Sequence, residues 1–264
     1  MGKGIVGQKK RRKAKVRKRN LKIILLVASF VITILGAILY FSFFSPPQVG
    51  SATHDAAIID GLSEDFPNPK LINDMKHLLE KAGYRVTIFN GSDVSVEFFR
   101  KLPTMGYSLI IMRVHGGRIQ QPMGLFIGSG IFAEPFDEKK YEREYLSGYL
   151  LKGITYVGGK EYFVITPDYV REKFEERFPD SVVVILSCYS AWDRVLASAF
   201  FDKGASAFVG IDKKADLSYL DRLGLEFVKH FTQGSDIEEA VKKAMETVGP
   251  DPDTGAKFVC YKKL

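Results

Sequence analysis

Cysteine is scarce in this chain: Cys188 and Cys260 are the only two in 264 residues. That excludes a disulfide-stapled scaffold and a Cys-rich zinc module. What remains is one possible bridge or two independent thiols. Histidine is nearly as rare, with His54, His77, His115 and His230, and none stands at metal-ligand spacing from another His or Cys, so no metal is expected. There is no internal repeat. No Gly-rich fingerprint opens a helix after a strand, which argues against a phosphate-cradling nucleotide site, and no cofactor is expected.

Charge is missing altogether from one long stretch. Ile23 to Phe44 is 22 residues without a single charged side chain, about 33 Å as a helix and enough for a bilayer core. Before it, residues 1–22 hold eleven Lys/Arg and no acid, out of 38 Lys/Arg in all, which leaves 27 basic against 31 acidic residues for the rest. The net charge of +7 therefore belongs to a tail, and no nucleic-acid partner is expected. The positive-inside rule puts that tail (1–22) in the cytoplasm, 23–44 across a cell membrane as a single-pass anchor, and residues 45–264 outside. A cleaved signal peptide would carry a shorter apolar stretch, about 7–15 residues, and a small-x-small cleavage site; neither is seen. Ser45-Pro46-Pro47 opens a linker over 45–54, and 55–264 is long enough for one domain with its own core.

Within that domain, apolar runs and helical periodicities alternate. Ala56-Ala57-Ile58-Ile59 reads as a strand ending at Asp60-Gly61, and Leu71, Met75, Leu78 and Leu79 recur at helical spacing up to Ala82-Gly83. Tyr84–Phe89 is a second strand, Val94–Lys101 a short helix, and Leu109–Val114 a third strand. The pattern predicts an α/β fold, a mainly parallel sheet flanked by helices. From Arg118 to Pro179 the regularity weakens among glycines and aromatics. Leu125-Phe126-Ile127 and Tyr162–Ile165 read as accessory strands and Pro167–Phe178 as a helix, forming either a substrate-facing elaboration or a cover for the sheet edge. Val182–Ser187 is again a buried strand, followed by a helix over about Ala191–Lys203, the strand Ala207–Ile211, two helices over about Leu217–Phe231 and Ile237–Val248, and a terminal strand around Cys260. Asp251-Pro252-Asp253-Thr254-Gly255 has the look of a calcium-loop fragment but lacks the further ligands, so a turn is expected.

Two of these strands end in chemistry. His115-Gly116-Gly117 follows one and Ser187-Cys188-Tyr189 the other, both at carboxyl ends, where an open parallel sheet carries its site. A thiol needs help to ionise. Cys188 has two candidate sources: His115 as general acid/base, and the positive N-terminal end of the helix expected from Ala191. The amides of Gly116 and Cys188 are candidate oxyanion donors, and Gly116 and Gly117 suit close backbone approach. Asp60, at the end of the first strand, is a candidate for substrate binding. No third catalytic residue can be named from spacing.

The stretch from Val183-Val184-Ile185-Leu186-Ser187-Cys188 to Gly204-Ala205-Ser206-Ala207-Phe208-Val209-Gly210, with His115-Gly116 before it, resembles the caspase–hemoglobinase superfamily (clan CD), in the pattern of its gingipain- and CHAT-type domains. The Gln-Ala-Cys-x-Gly block of caspases is absent. The resemblance implies a caspase-like sheet and a Cys188–His115 dyad. The chain is thus expected to be a membrane-anchored cysteine endopeptidase acting on peptide or protein substrates. The alternatives are a catalytically inactive interaction or sensor domain and a cell-surface cysteine transpeptidase.

Overall fold

A computed structural model describes residues 54–120, 126–156 and 158–263. The expected tail (1–22), membrane span (23–44) and nearly all of the linker (45–54) lie outside the described residues. Among the described residues no helix is long and apolar enough to cross a membrane.

In chain order, β1 (His54–Asp60), α1 (Pro69–Lys81), β2 (Tyr84–Asn90), α2 (Val96–Lys101) and β3 (Leu109–Arg113) come first. Next come β4 (Gly116–Gln120), β5 (Phe126–Pro135), α3 (Glu142–Leu146), β6 (Leu150–Ile154), β7 (Glu161–Ile165) and α4 (Pro167–Lys173). Then come β8 (Val182–Leu186), α5 (Val195–Asp202), β9 (Ala207–Ile211), α6 (Leu217–Thr232), α7 (Ile237–Val248) and β10 (Phe258–Lys262). The main sheet has the order β10-β9-β8-β3-β1-β2. It is parallel except for β10, which runs antiparallel to β9. This is the parallel-rich α/β sheet that the alternation of strands and helices predicts. Strands covered on both faces must be apolar along their whole length, and β3 is buried at every residue.

One face packs α1, α6 and α7 through Met75, Leu79, Leu223, Phe227 and Ala244. The other packs α2, α4 and α5 through Phe99, Val170, Leu196 and Phe200. Against that second face also lies a separate antiparallel sheet, β4-β5-β7-β6. Its strands alternate as a sheet with one core face should: Ile131, Leu150, Phe163 and Ile165 are fully buried. The irregular middle of the sequence is thus a four-stranded layer, of which the expected accessory strands are parts of β5 and β7.

Two helices differ from expectation. α4 stops at Lys173 because Phe174 turns extended, and Phe174 and Phe178 both enter the core. α5 begins at Val195 rather than near Ala191. The amides of Tyr189 and Ala191 are committed to the carbonyls of Lys213 and Ile211, which holds residues 189–191 in a turn against the end of β9.

At the carboxyl end of β3 the Arg113 side chain is 2% exposed. Its Nη1 donates to Asp60 Oδ1 at 2.9 Å, its Nε to Asp221 Oδ1 at 2.6 Å, and its Nη2 to Asp221 Oδ2 at 3.1 Å and Phe66 O at 3.0 Å. Asn68 donates to the same Asp221 carboxylate at 2.9 Å and caps α1 by accepting from the Leu71 amide. One guanidinium thus ties β1, β3, α6 and the loop after β1 together. Arg113→Met keeps the stem but strands two buried carboxylates. Its expected cost is about 3–5 kcal/mol, measured as a lowered urea midpoint by fluorescence of the single tryptophan, Trp192. An unchanged midpoint would remove this cluster as the anchor of the loop.

Candidate active site

β3 and β8 are neighbours, and their register pairs Arg113 with Leu186. His115 and Cys188 each stand two residues past that pair. Adjacent strands lie about 4.8 Å apart, so the topology brings together two residues that the sequence separates widely. Both line one cleft of about 890 Å³. Its floor is the outer face of the second sheet, and its opposite wall is formed by the loops at the carboxyl ends of the main sheet. No hydrogen bond joins imidazole and thiol.

Cys188 is half-buried. Its Sγ lies 3.5 Å from both the amide and the carbonyl of Ala215, accepting from one and donating to the other. Burial pushes the thiol up, against the opposing influence of the Ala215 amide and the Lys214 charge. The expected source of positive potential is corrected here. α5 starts only at Val195, and the segment that touches Sγ is instead Lys214-Ala215, just before the Asp216 cap of α6. Tyr189, directly after Cys188, adopts a left-handed backbone with φ 61°, an uncommon conformation for a bulky residue. Cys260 forms no disulfide with Cys188, and burial raises its pKa to about 11.

His115 packs among Phe66, Phe132 and Tyr162, with ring centroids 5.9–6.1 Å away. Its Nε2 is buried without a hydrogen-bond partner and lies 3.7 Å from Asp65 Oδ2. That exceeds a hydrogen bond, so the carboxylate acts on the ring through its charge. Burial pulls the imidazole below its ordinary range, and Asp65 opposes the shift. Asp65 is itself held: it pairs with Lys160, and Tyr162 Oη donates to its Oδ2 at 2.6 Å. Those two donors keep its carboxyl below the usual range.

Gly116 sits where a side chain has no room. A Cβ there would overlap Ser187 Oγ and come 3.0 Å from the Cys188 carbonyl and 3.1 Å from that of Gly130. The first residue of β4 is therefore pressed against the segment that carries Cys188. Arg118 lies over the rings of Tyr189 and Trp192, at 4.7 and 5.4 Å, and Ser129 Oγ donates to the Tyr189 carbonyl at 2.5 Å.

Asp60 is placed differently from the expectation. Its carboxylate is 2% exposed, accepts from Arg113 and the Leu62 amide, and has its pKa raised chiefly by burial. It borders a separate cavity of about 380 Å³ and does not line the cleft of His115 and Cys188. The carboxylate that does approach the imidazole is Asp65, in the loop between β1 and α1. Its signal in the sequence is position alone: an acid a few residues past a strand's carboxyl end. The Asp251 segment is a turn, its Oδ1 accepting from the amides of Asp253 and Thr254 and from Thr254 Oγ1; Asp253 and Thr254 reach the rim of the cleft.

Two outcomes are expected. Asp65→Asn removes the negative charge that favours the protonated ring and frees the Lys160 charge nearby. Both effects lower the His115 pKa further, as an NMR titration of the imidazole would record; an upward shift would refute the arrangement. Gly116→Ala forces the Ser187–Cys188 segment aside at a cost of about 1–3 kcal/mol, read from the unfolding midpoint.

No family model matches the chain, and no curated protein matches it. Solved structures do. One is the crystal structure of the Arg-specific cysteine proteinase gingipain R, at 11% identity and a TM-score of 0.47, covering 75% of this chain and 43% of that one. The chain thus spans less than half of that neighbour's length.

Proposed function

We propose that this domain is a cysteine endopeptidase in which Cys188 is the nucleophile and His115 the general acid/base. The observation that carries the proposal is the matched position of the two residues, each two past the paired ends of adjacent parallel strands and both facing one cleft.

Burial keeps the resting thiol and the resting imidazole both neutral near pH 7. In the proposed reaction the thiol proton passes to His115 as Sγ adds to the peptide carbonyl. The resulting oxyanion is held by the amides of Gly116 and Cys188, each donor worth about 3 kcal/mol in comparable sites. Collapse expels the amine, which takes its proton from His115. Water, deprotonated by the same imidazole, then releases the acid and restores the thiol. Asp65 lies on the side of the ring where it stabilises the imidazolium that forms midway. The Ala215 amide, already directed at Sγ, favours the thiolate. Tethering through residues 23–44 at the outer face of a membrane belongs to the same proposal, supported by the uncharged 22-residue stretch behind a basic tail.

The neutral thiol also favours a second reading, an inert binding domain that keeps the fold. Small peptidyl acyloxymethyl ketones with intact-mass readout separate the two. A peptidase is expected to be labelled at Cys188 alone, with the rate falling at least about a hundredfold in His115→Ala and Cys260 untouched. Labelling of both cysteines at the rate of an ordinary thiol would leave the binding domain as the answer.

A further inference from the structure

The cleft beside Cys188 has an apolar lining. Leu62, Phe66, Phe132, Leu151, Val164 and Leu220 all face it. Between them the floor is kept level by glycine: a Cβ on Gly153 would come 2.5 Å from both Phe132 Cζ and Val164 Cγ2, so the Phe132 ring spreads across the sheet there. At the mouth, at the end of β6 and in the turn after it, Ile154 is 60% and Tyr156 89% exposed. Large apolar groups left open at the edge of a concave site mark a binding surface.

Most of the charges around the cleft are already engaged. Arg118 lies over Tyr189 and Trp192. Lys152 pairs with Glu161 at 3.1 Å. Lys214 sits over the ring of Tyr156 at 4.2 Å. Asp216 caps α6, accepting from the amide and hydroxyl of Ser218; Asp65 is held by Lys160 and Tyr162; and Asp253 lies exposed at the rim. A charged side chain entering the floor would lose its hydration among apolar groups, while the carboxylates of Asp216 and Asp253 stay out at the exposed edge, so its burial is costly.

Resting on the peptidase reading, we infer that this site selects a substrate whose residue at the attacked carbonyl carries a large apolar side chain, such as Phe, Leu or Met, and disfavours Arg, Lys and Asp. Gly117 controls the depth of the floor. A Cβ there meets only Phe132 Cε1, at 3.8 Å, so a larger residue fits the strand and fills the cleft.

Two measurements on the full-length chain test this. Acyloxymethyl ketones that differ only in the residue next to the warhead give second-order labelling rates at Cys188. Phe and Leu probes are expected to exceed Arg, Lys and Asp probes by at least about tenfold, the scale of discrimination open to an apolar pocket. In Gly117→Val the ratio of Phe to Ala rates is expected to fall about tenfold or more. In parallel, calorimetry on Cys188→Ala with acetylated tetrapeptide amides ending in Phe or Arg reads the pocket without the chemistry. Tighter binding of the Phe peptide supports the inference even if no probe reacts, and in that case only the peptidase reading fails. Charged probes that react as fast as apolar ones, or an Arg peptide that binds as well as the Phe peptide, overturn it.

Discussion

The Arg113 guanidinium is the interaction on which the site depends. A buried cation is tolerable only with its donors matched, and here two carboxylates and a carbonyl take them. The partners come from β1, from α6 and from the loop after β1, so electrostatic satisfaction at one atom group fixes three pieces of chain relative to β3. The loop is the piece that matters downstream. Phe66, whose carbonyl binds Arg113, has its ring against His115, and its neighbour Asp65 supplies the charge beside the same imidazole. A cluster that looks structural thereby sets the electrostatics of the candidate base.

The two candidate reactive groups share one physical solution to burial. Each is pushed toward its neutral form by desolvation, and each has a local influence pulling the other way: Asp65 for the imidazole, the Ala215 amide for the thiol. Neutral groups can occupy an apolar cleft without the cost of an isolated charge. The opposing partners each favour the charged form, so ionising either group costs less than burial alone would impose. Cys260, a thiol on β10, is likewise raised by burial, with Glu238 adding to the shift and Lys262 opposing it.

The main sheet is legible in the sequence because parallel strands covered on both faces leave continuous apolar runs, as in Leu109–Val114 and Val182–Leu186. Their carboxyl ends point to His115 and Cys188 directly. α7 is found at the expected limits because its apolar spacing and its Asp236 cap agree. The second sheet is only half legible: β4 is Gly-Gly-Arg-Ile-Gln, with no alternation strong enough to mark it. Asp60 is misplaced for a related reason. Position at a strand end cannot tell an outward carboxylate from one folded back onto a buried arginine 53 residues later in the chain. The same loss of long-range information hides Asp65, and it places the start of α5 too early, since the turn at 189–191 is held by β9 and not by its own sequence.

β3 and β4 belong to different sheets, yet only Val114 and His115 lie between them. The imidazole therefore sits at the joint where the two layers meet, and the thiol follows a main-layer strand whose next residue, Tyr189, is held through its carbonyl by Ser129 of the small layer. Both candidate groups stand at the seam of the layers, so the spacing of imidazole and thiol is set by how the small layer packs on the large one.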